Sequence, residues 1–109
     1  MAEVLTNMNI EDLRGRIDVI DDQLVRLLNV RVACAVEVGR LKHEGGLPIY
    51  QPEREAQVLN SVRKSATELS GPLTAEALVR IFERIIDEAR RAERAASVRG
   101  DGAGPSIGE

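Results

Sequence analysis

The chain has 109 residues, room for one domain, and its 43% hydrophobic and 30% charged content excludes an intrinsically disordered protein. Aromatic content is 2%, supplied by Tyr50 and Phe82, which is too little for a typical β-sandwich or barrel and leans the chain towards helix. A single cysteine, Cys34, excludes an internal disulfide framework and a multi-thiolate zinc site, and a formal charge of −3 argues against a nucleic-acid binder.

Residues 1–9 carry neither the basic cluster nor the apolar stretch of a signal peptide, which points to the cytoplasm. No apolar run approaches the roughly 20 residues of a membrane span. Residues 1–8 read as an N-terminal extension. The first helix starts after Asn9, a good N-cap, with Asp12 in the first turn where the helix dipole favours an anion. Met8 and Leu13 sit at staple positions across that cap. The apolar pattern runs Leu13, Ile17, Ile20, Leu24, Leu27, position 31, Cys34, Val38, Leu41. Its alternating steps of four and three make a heptad seam. The helix continues to about Glu44, where Gly45-Gly46 ends it and Pro48 prevents resumption. Gly39 lies inside it, at a cost of ~1 kcal/mol against Ala unless something must approach the backbone there.

The second helix opens at Pro52, a favoured first helical position, and its apolar face is Val58, Leu59, Val62, Ala66 and Leu69. Ser70-Gly71-Pro72 ends it. The third opens behind Thr74 as N-cap, with Leu73 and Leu78 at staple positions. Its face is Leu78, Ile81, Phe82, Ile85, Ile86 and Ala89, fading by about Ser97. The helical domain is thus expected over residues 9–97. Residues 98–109, Gly-rich and poor in apolar side chains, read as a disordered tail.

A first helix of about 35 residues is ~52 Å long, whereas a compact domain of this size has a radius of gyration near ~13 Å. Two shorter helices cannot cover its whole seam. The simplest cover is a second copy of the chain related by a two-fold axis. The expectation is therefore an all-α protein, one long and two shorter helices per chain, in an intertwined homodimer.

Several charges stand where apolar residues belong. Arg31 occupies a seam position between Leu27 and Cys34, and Lys42 points within about 20° of it, about three turns further on. Glu55 precedes Val58, Leu59 and Val62 on the core face of the second helix, and Glu93 follows Ile86 and Ala89 on the third. Taken singly, each has a plain structural explanation. Arg31 can snorkel or pair with a core acid, Lys42 can complement a helix C-terminus, and either Glu can be an end-of-helix acid or half of an ion pair. Arg54, in a first turn where the dipole disfavours a cation, can simply face solvent. Arg14 lies one place off the seam and ~25 Å along the axis from Arg31, beyond the span of any metabolite within one helix. In an antiparallel dimer crossing near Leu24, Arg14 of one chain approaches Arg31 and Lys42 of the other. Arg14, Arg31, Lys42 and Arg54, with Glu55 and Glu93, then surround one cavity. So many charges inside a helical core are too costly for structure alone. They suit a small dianion that also carries hydroxyl or ether oxygens.

The ordered set Leu13-Arg14-x-x-Ile17-Asp18-x-x-Asp21-x-x-Leu24-x-x-Leu27-Leu28-x-x-Arg31, Val38-Gly39-x-x-Lys42, Pro48-Ile49-Tyr50-x-Pro52-x-Arg54-Glu55 and Ile81-Phe82-x-x-Ile85-Ile86 resembles the all-helical (type II) chorismate mutases. The likeness covers roughly residues 10–93. It implies a domain-swapped dimer with two sites, each completed by an arginine of the other protomer. It implies the rearrangement of chorismate to prephenate, the entry to phenylalanine and tyrosine synthesis. Arg14, Arg31, Lys42, Arg54, Glu55 and Glu93 fall on the family's site positions. Gln51 stands where several members have Asp near the ring hydroxyl, and Ala89 where some have a Ser that touches a substrate carboxylate. The implied roles are orientation of both carboxylates by Arg14 of the partner, Arg31 and Arg54, donation to the ether oxygen by Lys42 and a protonated Glu93, and acceptance from the ring hydroxyl by Glu55. Such a reaction needs no nucleophile, metal or cofactor. The expected partners are chorismate and a second copy of the chain, with another shikimate-pathway enzyme as a further candidate.

Two rivals stand beside this reading. An isochorismate pyruvate lyase uses a similar cationic pocket on the same scaffold, and fold likeness does not separate the two. A non-catalytic helical dimerisation or regulatory module would carry its charges as ion pairs. Other residues have ordinary readings: His43 exposed at a helix end, Cys34 an inert seam thiol, and Tyr50 packing beside the connection or capping the pocket.

Overall fold

The computed structural model describes residues 5–48 and 50–103, with side chains as far as residue 98. Among the described residues there is no strand; the main elements are α1 (Ile10–Glu44), α2 (Pro52–Glu68) and α3 (Ala75–Ala103). The all-α expectation, one long and two shorter helices, matches this order. The chain divides into two units, Met1–Arg31 and Val32–Glu109. No helix of the described residues is long and apolar enough to cross a membrane.

In the first unit, α1 begins where its cap dictates. The Asn9 side-chain oxygen accepts from the Asp12 N–H at 2.8 Å, and the Asn9 carbonyl accepts from Leu13 N–H at 3.0 Å. Glu11 and Asp12 place acid in the first turn. Along this half of α1 the seam residues stand open: Ile17 is 53% exposed, Ile20 44%, Leu24 49% and Leu27 66%.

The second unit contains the end of α1. Gly46 takes φ +68°, a conformation that suits glycine. This lets Gly46 N–H donate to the His43 carbonyl at 3.2 Å and Leu47 N–H donate to the Lys42 carbonyl at 2.8 Å, the paired bonds of a Schellman cap. The chain then leads to Gln51, the N-cap of α2, with Pro52 in the first helical position as expected. The second helix closes with Leu69 N–H on the Ser65 carbonyl at 2.8 Å. Leu69 was expected on the apolar face. It is the C-cap instead and is 77% exposed, because the helical register that would turn it inward ends at Glu68. Thr74 caps α3 through its hydroxyl, which accepts from Ala77 N–H at 3.0 Å.

The helices α2 and α3 pack together. Val79 and Ala89 are the buried apolar residues of the described chain, at 7% and 4% exposure. The inner stripe of α3 is Val79, Phe82, Ile86, Ala89 and Glu93, in steps of three and four, flanked by half-buried Leu78, Ile85 and Ala92. Val79 is absent from the face expected from sequence, and Ile81, included in it, is 45% exposed. A dense apolar run such as Leu78-Val79 leaves the choice of facing residue to the packing. Cys34, expected as a seam thiol in the core, is exposed in this chain. The backbone of α3 keeps helical form to Ala103, past the fading expected at Ser97. Ala95 and Ala96 favour the helix, and no proline interrupts it before Pro105, so the glycines at 100 and 102 weaken the ladder without stopping it. Positions 104–109 of the expected tail lie outside the described residues, as do positions 1–4 of the N-terminal extension.

Candidate active site

Within the second unit, three segments carry the chemistry-bearing side chains expected from sequence: the last turns of α1, the first turn of α2 and the later half of α3. Gly39 marks where the end of α1 meets α3. A methyl group placed on Gly39 would lie 3.6 Å from Oε1 of Glu93, 3.7 Å from its Cγ and 3.8 Å from its Cδ. Glu93 therefore rests its carboxyl beside the α1 backbone, at a distance that still leaves room for a β-carbon on residue 39. Lys42 follows Gly39 by three residues, so it shares that side of α1, and it is half-buried. Its own carbonyl is engaged by the Schellman cap, so the helix terminus holds the Lys42 backbone in place.

The start of α2 gathers Gln51, Arg54 and Glu55. The Gln51 carbonyl accepts from Arg54 N–H at 3.1 Å and from Glu55 N–H at 3.4 Å. The Gln51 side chain makes no capping bond, and the residue is half-buried. An amide in that position retains both donor and acceptor capacity. Arg54 is exposed and donates from Nη1 to Gln57 Oε1 at 3.4 Å, as its solvent-facing explanation expects for the chain by itself.

Glu55 faces α3. Its Oε2 forms an ion pair with Nη2 of Arg90, and the two side chains are 31% and 35% exposed. Arg90 also donates from Nη1 to Asp87 Oδ1 at 3.2 Å. Its guanidinium carbon lies 5.8 Å from the centre of the exposed Tyr50 ring, within cation–π range. Arg90 was not singled out from sequence. The signal was indirect: an acid on the core face of α2 requires a cation on the neighbouring helix, and Arg90 follows Ile86 by four, at the flank of the α3 stripe. Ala89 is buried and offers only a methyl group, so a polar contact expected from a serine there is absent from its side chain.

In the first unit, Arg14 is exposed and Arg31 half-buried, each on α1. On the solvent side of α1, Arg40 is bracketed by Glu37 and Glu44 in ion pairs. The hydrogen bond from Arg40 holds the Glu37 carboxyl below the usual glutamate range, and the same bond raises the Arg40 guanidinium above its ordinary value.

The chain has known relatives. Residues 13–94 match the family described as chorismate mutase type II. The chain is 36% identical over 90 residues to a bifunctional chorismate mutase/prephenate dehydratase of Aquifex aeolicus, an alignment covering 82% of this chain and 25% of that protein. It is 41% identical over 81 residues to a T-protein of Enterobacter agglomerans, covering 74% of this chain and 21% of that one. The chain thus spans a quarter or less of the length of these two relatives. Among solved structures, the form II chorismate mutase of Thermus thermophilus superposes with a TM-score of 0.70 at 33% identity, over 78% of this chain and 93% of that one. The chain belongs to the type II chorismate mutase family.

Proposed function

We propose that this chain is a chorismate mutase, an isomerase that converts chorismate to prephenate as a cytoplasmic homodimer with shared sites. The observation that carries this beyond family membership is the seating of Glu93 against Gly39, three residues before Lys42. It supports a carboxyl and an ammonium group on neighbouring helices acting on one small ligand.

The rearrangement is unimolecular: the ether carbon–oxygen bond breaks while a carbon–carbon bond forms across the ring. Two things accelerate it. One is confinement of the substrate in a folded, near-attack shape. Arg31, Arg54 and Arg14 of the partner subunit fit this task, because a guanidinium fork fixes a carboxylate in orientation as well as position. The other is stabilisation of the charge that develops on the ether oxygen. Lys42 is the fixed cation for that oxygen, and Glu93 donates to it in its protonated form. Glu55 accepts from the ring hydroxyl, and the Gln51 amide, also at the start of α2, is a further polar group for that hydroxyl. A rate gain of ~10⁶ requires ~8 kcal/mol of transition-state stabilisation, which a few charge-assisted contacts supply.

The dimer is supported by the open seam of α1. Ile17, Ile20, Leu24 and Leu27 line one side of the helix, and none of them is buried within the chain. A row of that length on a water-facing helix calls for a partner surface, and a second copy supplies one that is self-complementary. The deciding experiment is incubation of the purified protein with chorismate and, separately, with isochorismate, followed by product identification. Prephenate from chorismate supports the assignment. Pyruvate and salicylate from isochorismate alone transfers it to the lyase, and no turnover of either leaves a helical module.

A further inference from the structure

The cluster around Arg90 extends the site beyond the residues expected to line it. Arg90 meets three groups: the Glu55 carboxylate on α2, the Asp87 carboxylate one turn earlier on α3, and the Tyr50 ring in the connection before α2. These contacts tie together the three segments that precede, begin and oppose the α2 terminus. Two acids and a ring face surround one guanidinium, whose planar fork offers several donors in fixed directions.

We infer that Arg90 is a positioning residue for ligand binding: it aims the Glu55 carboxylate, committing one oxygen to the guanidinium and presenting the other to a hydroxyl of the ligand. The inference rests on the proposed chorismate mutase reading, in which Glu55 accepts from the ring hydroxyl. The chemistry follows from the ion pair. The guanidinium engages Oε2, and a carboxylate carries lone pairs on both oxygens. A carboxylate paired with a guanidinium only accepts hydrogen bonds. A carboxyl of fixed direction and fixed acceptor character distinguishes a ligand with a hydroxyl at that point from one without it. Arg90 therefore acts through Glu55 and touches no reacting atom.

The test uses the full chain and four variants: Arg90→Met, Arg90→Lys, Glu55→Gln and the double variant Arg90→Met/Glu55→Gln. Steady-state chorismate turnover and thermal unfolding are measured on each. A role confined to pinning α2 to α3 lowers the melting temperature and leaves KM where it was. The positioning role raises KM in Arg90→Met by about tenfold or more, the loss expected of one charge-assisted hydrogen bond, with kcat changed much less. Arg90→Lys recovers part of that loss, because it restores the charge without the fork. The double variant binds no worse than Glu55→Gln alone, since Arg90 has nothing left to aim. In the free protein, the Arg90 side-chain N–H signals in an NMR spectrum move when Glu55 becomes Gln. Arg90 signals that ignore Glu55→Gln overturn the inference without reference to activity. Wild-type KM in a folded Arg90→Met protein overturns it too, while leaving the chorismate mutase reading intact. A wild-type protein that turns over no chorismate overturns that reading, and the inference falls with it.

Discussion

The carboxyl of Glu93 lies against the backbone of Gly39, with Oε1 3.6 Å from where a β-carbon on Gly39 would sit. That distance is an ordinary van der Waals contact, so one methyl fits and a longer side chain does not. Gly39→Ala should therefore fold normally and gain up to ~1 kcal/mol from helix propensity, read as a rise of a few degrees in melting temperature. Gly39→Leu should displace Glu93 and cut kcat/KM by about tenfold or more while circular dichroism stays helical. A fully active Gly39→Leu protein would show that Glu93 has no required seat there.

In the proposed site, a glutamine amide in place of Glu93 keeps a hydrogen-bond donor beside the ether oxygen, and an alanine removes it. Glu93→Gln should therefore keep much of the wild-type kcat/KM, and Glu93→Ala should lose about tenfold or more. The check is steady-state chorismate turnover of both variants. A fully active Glu93→Ala protein removes Glu93 from the donor role.

Arg14 and Arg31 belong, in the proposed dimer, to opposite contributors of each site. Arg14→Ala and Arg31→Ala homodimers should each be nearly inactive. When their chains exchange at equal concentration, half of the dimers are mixed and each mixed dimer has one intact site. Activity should recover to about a quarter of wild type. Proven exchange with no recovery would place both arginines in the same chain's site or in none.

The seam of α1 offers a direct test of assembly. Leu24 is half open to water in the single chain, which by itself tolerates a charge there. Leu24→Glu should shift the protein from dimer to monomer in sedimentation and abolish turnover, because two carboxylates would meet across the two-fold axis. A Leu24→Glu protein that sediments as wild type would contradict the proposed interface.

The Glu37–Arg40–Glu44 cluster sets a pH dependence whose sign is fixed. The hydrogen bond from Arg40 lowers the folded-state value of Glu37 below the ordinary 4.5, so the carboxylate favours the folded helix above the unfolded value. That contribution is lost as pH falls through the folded value. A carbon-13 titration of Glu37 should give a midpoint below 4.5, and Arg40→Met should return it to the ordinary range. The effect on stability should be small, because all three side chains are more than half exposed.

Much of this protein is decided by neighbours in sequence. Asn9 and Thr74 cap their helices, Pro52 opens α2, and Gly46 turns the chain after α1, because each choice depends on atoms within four or five residues. The heptad spacing of α1 likewise tells which side of the helix is apolar, and the charges on those sides mark Arg31, Lys42, Glu55 and Glu93. Helical periodicity states a direction and never a partner. That Glu93 rests on Gly39, that Glu55 pairs with Arg90, that Val79 rather than Ile81 is buried, and that Leu69 falls outside the α2 face are settled by how α2 and α3 pack and where the end of α1 meets them. Those contacts join residues distant along the chain, and only the tertiary fold brings them within reach of each other.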